Sequence, residues 1–124
     1  MTSNKPYILR ALYEWIIDNN MIPHLVVDAT KQNLKIPTQF VKDNQITFNI
    51  SPSAALQLLM SNDNISFNAR IGGTPYQIYI PMGAVSAIYA RENGEGMMFD
   101  TSDTDGEEGD ASPPPDDNPF KIVK

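Results

Sequence analysis

The chain has 124 residues, 41% of them apolar, with no cysteine and a formal net charge of −6. This length suits one domain, and the missing cysteine excludes disulfides, thiolate nucleophiles and cysteine-ligated metals. The charge is uneven: residues 1–99 hold seven acids and seven bases, whereas residues 100–118 hold eight acids and no base.

The first predicted element is a helix. Asn4 is a suitable N-cap and Pro6 fits a first turn, while Asn19-Asn20 and Pro23 end the element. The apolar set is wider than one helical stripe and comprises Tyr7, Ile8, Leu9, Ala11, Leu12, Trp15, Ile16 and Ile17. Such a helix either lies wholly within its own core or buries a second face against another subunit.

From His24 to Met82 the pattern predicts strands. Two segments alternate apolar and polar residues, which is typical of half-buried strands: 45–50 and 65–71. The apolar run 24–30 is a further strand, and 36–41 is a weaker or edge strand because Pro37 interrupts it. The pattern of 56–60 fits either strand or helix.

Glycines mark the next connections. Gly72-Gly73 predicts a tight hairpin whose return strand is 77–81. Residues 83–93 predict a short helix with Gly94 as its stop, and residues 97–99 a last short strand. The predicted fold is therefore α+β but mostly β. An N-terminal helix precedes five to seven antiparallel strands in two packed sheets or a partly open barrel.

The C-terminal quarter has a different character. Residues 100–118 contain no large apolar side chain, which predicts a disordered acidic linker. The last six residues restore apolar side chains and positive charge, as a short docking peptide would: Pro119, Phe120, Lys121, Ile122, Val123 and Lys124. The predicted organisation is a domain over 1–99, a linker over 100–118 and a docking tail over 119–124.

Little in the sequence points to catalysis. His24 is the only histidine and no nucleophile motif accompanies it, so a packed or surface histidine is the expected reading. We expect no catalytic residue, no metal and no cofactor, although a carboxylate pair meeting in space is not decided by sequence. The neutral body with its acidic tail lacks the basic stripe of a nucleic-acid binder. The N-terminus does not resemble a secretory signal, and no apolar run is long enough for a membrane span, which predicts a cytoplasmic protein.

The class of function that remains is recognition of an extended peptide. Small β domains offer such peptides a sheet edge or a groove between sheets. The candidate wall is 64–70, in which Asn68 and Arg70 face away from the apolar residues. Arg70 either pairs with a ligand carboxylate or is simply a solvated strand charge.

Four stretches carry a family resemblance: KPYILRALYEWIIDNNMIPHLVVDAT, VKDNQITFNIS, NDNISFNARIGG and IPMGAVSAIYARENGEGMMF. In this order, and with the basic-aliphatic ending after an acidic segment, they resemble the stringent starvation protein B family. The resemblance implies an Sm-like β domain and a homodimer formed through the N-terminal helix. It also implies a non-enzymatic adaptor that binds the ssrA (tmRNA) tag of stalled-translation products. Residues 119–124 would then dock on the N-terminal domain of the ClpX unfoldase of the ClpXP protease.

The same resemblance implies site residues. The tag groove would involve Phe67, Asn68, Ala69 and Arg70, the stretch Met82, Gly83, Ala84 and Val85 at the start of the late helix, and nearby Ile46 and Phe48. Phe67, Ile46 and Phe48 also alternate as core residues do. The dimer interface would involve Ile8, Leu12, Trp15 and Ile16. The main alternative function is an acidic-tailed regulatory protein that acts on RNA polymerase or an RNA-binding machine.

Overall fold

The helix forms where the sequence predicts it. A computed structural model describes residues 3–101, and helix α1 spans Lys5–Asp18. Asn4 occupies the N-cap position without a side-chain capping bond, and Pro6 fits the first turn, where its missing N–H costs nothing. At the other end Asn20 takes a left-handed backbone conformation (φ 60°), which asparagine tolerates better than most residues.

Within residues 3–101, seven strands follow the helix and form two antiparallel sheets. The strands are β1 Pro23–Asp28, β2 Gln45–Asn49, β3 Leu56–Met60, β4 Asn64–Ile71, β5 Thr74–Pro81, β6 Val85–Ala90 and β7 Gly96–Met98. The four-stranded sheet has the order β2-β1-β6-β7 and the three-stranded sheet the order β3-β4-β5. The predicted class, mostly β with one N-terminal helix and two antiparallel sheets, is confirmed; the Sm-like detail stays a prediction.

The β4–β5 hairpin turns at the two glycines. Ile71 pairs with Thr74, so Gly72 and Gly73 are the two turn residues, with φ of 59° and 83°. Two successive positive φ angles suit the twist of a two-residue hairpin, and glycine adopts them without steric cost. The predicted hairpin is therefore confirmed.

One buried cluster unites the two sheets and the helix. The alternating residues of β2 and β4 point inward, so that Ile46, Phe48, Ile65 and Phe67 are buried. Leu9 and Ile16 of α1 belong to the same cluster. The helix contacts β1 and β6 and thus covers the four-stranded sheet rather than standing apart.

The predicted helix over 83–93 is wrong. Met82–Ala84 form a single 3-10 turn, and Val85–Ala90 form strand β6. This strand lies between β1 and β7, so its backbone groups bond to neighbours on both sides. A short apolar run rich in alanine has no decisive period of its own, and the tertiary ladder decides its conformation.

The predicted strand over 36–41 is also wrong. Only Lys35, just before it, bridges to Tyr79, and Thr38–Phe40 form a 3-10 turn. Pro37 lacks an amide proton and instead provides the N-cap position of that turn. The segment 56–60, which the pattern left open, is strand β3.

Helix α1 runs alongside the last strand. At its start the Lys5 ammonium lies 5.5 Å from the centroid of the Phe99 ring, while near its end Trp15 shares a small cavity with Asn93 and Glu95. Lys5 Nζ is buried without a hydrogen-bond partner among residues 3–101, and burial lowers its pKa to about 8.

The predicted linker is described only at its start. Of residues 100–118 the structure describes Asp100 and Thr101; the rest of the linker and the predicted docking tail 119–124 lie outside the described residues. Thr101 Oγ1 donates a hydrogen bond to Asp28 Oδ2 (3.0 Å), which places the exit of the chain at the end of β1. Within 3–101, no helix has the length and apolar character needed to cross a membrane.

Candidate functional site

A groove of about 670 Å³ opens between the two sheets. One wall is β2, the edge strand of the four-stranded sheet, and the opposite wall is the end of β4 with the hairpin turn. The lining residues come from four chain segments: Phe40 and Lys42, Gln45 to Asn49, Ala54, and Ala69 to Gly72. The groove thus depends on segments up to about thirty residues apart in the chain.

The floor of the groove is apolar. Ile46 and Phe48 are almost fully buried, and Phe48 meets Phe67 edge to face with ring centroids 5.5 Å apart. Phe40 stands at the rim, where its ring lies against Gly72. A Cβ at position 72 would lie 3.2 Å from the Phe40 ring, so glycine lets the ring approach the turn. The groove can therefore accept apolar side chains between polar walls.

The backbone of β2 presents unpaired groups toward the groove side. The Ala29 N–H donates to the Asn44 carbonyl (2.8 Å) and the Ile50 N–H to the Pro23 carbonyl (3.0 Å). Because alternate residues of an antiparallel strand bond to the same neighbour, Ile46 and Phe48 bond to β1, whereas Thr47 and Asn49 direct their backbone groups away from it. Within the described chain no strand pairs with this side of β2.

The backbone groups of Gln45 also point away from β1, but they are already bonded within the chain. Its backbone N–H and C=O exchange two hydrogen bonds with Lys42, of 2.9 and 2.8 Å. Gln45, Thr47 and Asn49 are alternate residues of β2, so their backbone N–H and C=O groups all point away from β1. The open edge therefore consists of the backbone of Thr47 and Asn49, ready to pair with an added strand.

The charged residues lining the groove are both positive. Lys42 lies beside the start of β2 and Arg70 near the end of β4. Arg70 Nη1 donates to the Gly73 carbonyl (3.0 Å), which holds the guanidinium at the hairpin turn. A guanidinium carries five N–H donors, so one such bond leaves capacity to bind a carboxylate. The groove is electrostatically suited to an acidic ligand.

The structure brings together four of the residues predicted for the groove: Ile46, Phe48, Ala69 and Arg70. Phe67 lies behind them in the core, against Phe48. Asn68 lies on the outer face of its sheet, where its amide donates to Gln57 Oε1 (2.7 Å).

The second predicted wall, the stretch 82–85, does not line this groove. Met82, Ala84 and Val85 are buried in the core, and Gly83 is exposed. Eight lining residues were not predicted from the sequence: Phe40, Lys42, Gln45, Thr47, Asn49, Ala54, Ile71 and Gly72. Thr47 could have been found as the polar partner of Ile46 and Phe48 in the alternation, had the edge position of β2 been known.

The residues predicted for the dimer interface differ in exposure. Ile16 is only 2% exposed and belongs to the core, whereas Trp15 is 47% exposed; Ile8 and Leu12 are half-buried. Beside the helix, β7 adds Met97 (45% exposed) and Met98 (82% exposed). Trp15 of α1 and Met97 and Met98 of β7 are thus exposed apolar side chains near the other edge of the four-stranded sheet, and these three residues are here called the α1–β7 flank.

The run Ile88 to Gly94, part of the last stretch that carries the family resemblance, has a structural role. The Ile22 N–H donates to Glu92 Oε1 (2.9 Å), and the Arg91 N–H to the Ile22 carbonyl (2.8 Å). The hydrogen bond from Ile22 is the main cause of the lowered pKa of Glu92. These bonds join the β6–β7 turn to the start of β1, away from the groove.

His24 has a structural environment. Its ring packs edge to face with Tyr89, at 5.5 Å between centroids, and Nδ1 lies 3.4 Å from the Tyr89 hydroxyl. Burial lowers the pKa of His24, and the nearby Arg91 lowers it further. Within residues 3–101 no cluster of three or more His, Cys, Asp or Glu side chains has a metal-binding arrangement.

The chain is similar to proteins of one described family. The family described as Stringent starvation protein B matches residues 3–121 of this chain. A curated relative from Haemophilus influenzae, described as "Stringent starvation protein B homolog", is 54% identical over 96 residues. That match covers 77% of this chain and 64% of the relative, so the chain spans somewhat less than two thirds of the relative's length.

Proposed function

The chain belongs to the stringent starvation protein B family, and from that premise we propose that it is a non-enzymatic adaptor that binds the ssrA (tmRNA) tag and tethers tagged proteins to ClpX. The observation that carries the proposal is the groove itself. It combines an open strand edge, an apolar floor and two positive side chains. These are the features that an extended acidic peptide needs.

The tag is proposed to bind as an added strand. Its backbone pairs with the outward N–H and C=O groups of Thr47 and Asn49, because these groups have no strand partner within the described chain. Alternate side chains of the peptide then point toward the floor formed by Ile46 and Phe48. Main-chain bonds supply affinity that does not depend on sequence, and the floor selects side chains.

The positive rim supplies selection for acids. Arg70 is proposed to bind a tag carboxylate with the N–H groups that do not bond to Gly73, and Lys42 adds a second positive charge at the β2 end. Most of this attraction is exposed to solvent and therefore weakens as the salt concentration rises.

Delivery requires two further proposed contacts. Residues 119–124 dock on the ClpX N-terminal domain, and the acidic segment before them sets the reach of the tether. Two chains associate through the α1–β7 flank, whose exposed Trp15 and Met97 otherwise remain in water. Each dimer then carries two tails, so simultaneous docking raises the effective concentration of substrate at the protease. The predicted cytoplasmic location is part of this proposal.

Fluorescence anisotropy of a labelled ssrA-tag peptide, titrated with the full chain, tests the binding half. Saturable binding is expected, and Arg70→Glu should weaken it by at least about tenfold because two charge units change at the rim. Lys35→Glu is the matched control: it makes the same charge change on an exposed side chain that does not line the groove. No saturable binding by the wild-type chain would refute the proposal.

Degradation assays with purified ClpXP test the tethering half. Deleting residues 119–124 should leave tag affinity unchanged but abolish the stimulation of degradation of a tagged substrate, since the tether loses its anchor. If stimulation survives this deletion, residues 119–124 are not the segment that docks on ClpX.

A further inference from the structure

The described part of the chain ends beside the groove. Thr101 bonds to Asp28, and Asp28 stands opposite Gln45 in the β1–β2 ladder. Gln45 in turn lines the groove and bonds to Lys42. Adjacent strands lie about 4.8 Å apart. The chain therefore leaves the domain roughly one to three strand spacings from the Lys42 end of the groove.

The residues that follow are complementary in charge to the groove. Residues 102–117 contain seven acids and no base. The charged residues lining the groove, Lys42 and Arg70, are both positive. An acidic segment is thus covalently joined next to a site whose rim favours acids.

We propose that the acidic segment 102–117 occupies the peptide groove of its own chain and competes there with the incoming tag. The inference rests on the proposed function, because it assigns to the same groove a second, intramolecular ligand. The segment would act as a weak substitute for substrate and not as a spacer alone.

The acidic segment is long enough to reach the groove. Sixteen residues span at most about 50 Å when extended, several times the distance from Thr101 to the groove. A short covalent connection gives an effective concentration in the millimolar range, so even an intrinsically weak contact is substantially populated. The return of the chain needs no hinge within the folded domain.

The contact must be weak, and composition explains why. Alanine and proline are the only apolar residue types in 102–117, so the floor formed by Ile46 and Phe48 stays unfilled. Charge at the rim and backbone pairing along β2 would hold the segment. A tag that supplies both acids and apolar side chains displaces it, whereas a peptide that offers acids alone does not. Competition from the acidic segment would therefore lower the affinity of the groove for every peptide, but it would favour tags with apolar side chains over peptides with acids alone.

The test compares full chains that differ only in the segment. In the neutralised variant, Asp103, Asp105, Asp110, Asp116 and Asp117 become Asn, and Glu107 and Glu108 become Gln. Titration of the labelled ssrA-tag peptide at low salt should give about three- to tenfold tighter binding to this variant than to wild type, because the competent fraction of grooves rises. The difference should close near about 0.5 M salt, where exposed charges are screened.

Two controls connect the effect to charge and to the groove. Replacing Ser102, Thr104 and Ser112 by Ala alters the segment without altering its charge and should leave wild-type affinity. In an Arg70→Gln background the gain from neutralisation should fall below about twofold, since the two changes then act on one interaction. Without any peptide, NMR methyl shifts of Ile46, Ala69 and Ile71 should differ between the wild-type and neutralised chains.

The outcomes separate the two proposals. Equal tag affinity of the wild-type and neutralised chains, with unchanged methyl shifts, would overturn the intramolecular contact while leaving tag binding intact. A gain that persists at high salt, or that the Ala control reproduces, would overturn its electrostatic basis. Failure of both chains to bind the tag would refute the proposed function and this inference with it.

Discussion

The two edges of the four-stranded sheet differ in what they present. At the β2 edge, the outward backbone groups of Thr47 and Asn49 lie beside a groove with a positive rim. At the β7 edge, a three-residue strand lies next to helix α1 and exposes Met97 and Met98. Both edges offer unpaired backbone, but their surroundings suit a single extended peptide at one and a broad apolar protein surface at the other.

Under the proposed function, the two edges would bind two different partners. The groove at β2 favours a ligand that supplies its own backbone groups and carboxylates, whereas exposed apolar side chains favour a partner that buries them. Since the two edges are separated by β1 and β6, changes at one should leave the other intact.

The largest effect is expected at the β2 edge. Thr47→Pro removes the outward N–H and places a ring where the added strand would lie, so tag affinity should fall by about thirtyfold or more. The fold should survive because this N–H does not bond to β1. Thr47→Val, which keeps the N–H, is the control and should bind within about twofold of wild type. Anisotropy titration measures both; equal affinity of the Pro and Val variants would rule out strand addition at Thr47.

The next effect is expected at the α1–β7 flank. Trp15→Arg should weaken self-association by about 2 kcal/mol or more, because an aromatic anchor is lost and a charge must be desolvated. Leu59→Arg is the control, since Leu59 is 67% exposed on β3, a strand of the other sheet. Sedimentation equilibrium measures association, and tag affinity per chain should stay unchanged in both variants. A Trp15→Arg chain that is folded and associates like wild type would place the interface elsewhere.

A third prediction concerns how closely β7 approaches β6. A Cβ on Gly96 would collide with the carbonyl oxygen of Ile88 and lie 2.6 Å from the Tyr89 Cα. Gly96→Ala should therefore displace β7 and lower the free energy of unfolding by about 2 kcal/mol, with little change in tag affinity. Gly83→Ala, where a Cβ meets nothing within 4 Å, should be nearly neutral. Urea denaturation gives both values, and equal stability of the two variants would contradict the close packing at Gly96.

The smallest effect concerns Lys5 at the start of α1, whose ammonium lies over the Phe99 ring. Burial lowers its pKa to about 8 from 10.5. Between these two pH values the unfolded chain binds more protons, so the contribution of Lys5 to stability rises with pH and is least favourable below pH 8. After allowance for partial solvent screening, Lys5→Met should stabilise the fold by on the order of 1 kcal/mol at pH 7.

The advantage of Lys5→Met over wild type should shrink as the pH approaches 10, because the wild-type amine then becomes neutral. Lys35→Met, on an exposed side chain, is the control and should show no such trend. Urea denaturation at several pH values measures the difference. A stabilisation that does not vary with pH would show that packing of the methionine, and not removal of a buried charge, is responsible.

Much of the fold could be predicted because local signals were unambiguous. The alternation of Ile46 with Phe48 fixes which face of β2 is buried, and Gly72-Gly73 adopts the two positive φ angles of a two-residue hairpin turn without steric cost. The helix over 83–93 was mispredicted because its apolar residues lack a clear period. Its conformation follows from pairing with β1, which lies sixty residues earlier in the chain.

The candidate groove was predictable only in part. Ile46, Phe48, Ala69 and Arg70 were named from the sequence, and the structure places them around one groove. Lys42 and the rim ring of Phe40 were missed, because they precede β2 in a segment that has no regular period. The stretch 82–85 was named as a wall on the strength of the resemblance, yet three of its four residues are buried.

By itself, the sequence determined the class of fold, the hairpin, the family and the separation of a neutral body from an acidic segment. These follow from composition, period and local backbone preference, which act over a few residues. The tertiary structure alone decided that β2 and β7 are the edges, that β6 is a strand, and that Thr101 bonds to Asp28, which stands opposite the groove residue Gln45. Strand order arises from hydrogen bonds and burial between distant segments, and no local pattern encodes which strand remains unpaired.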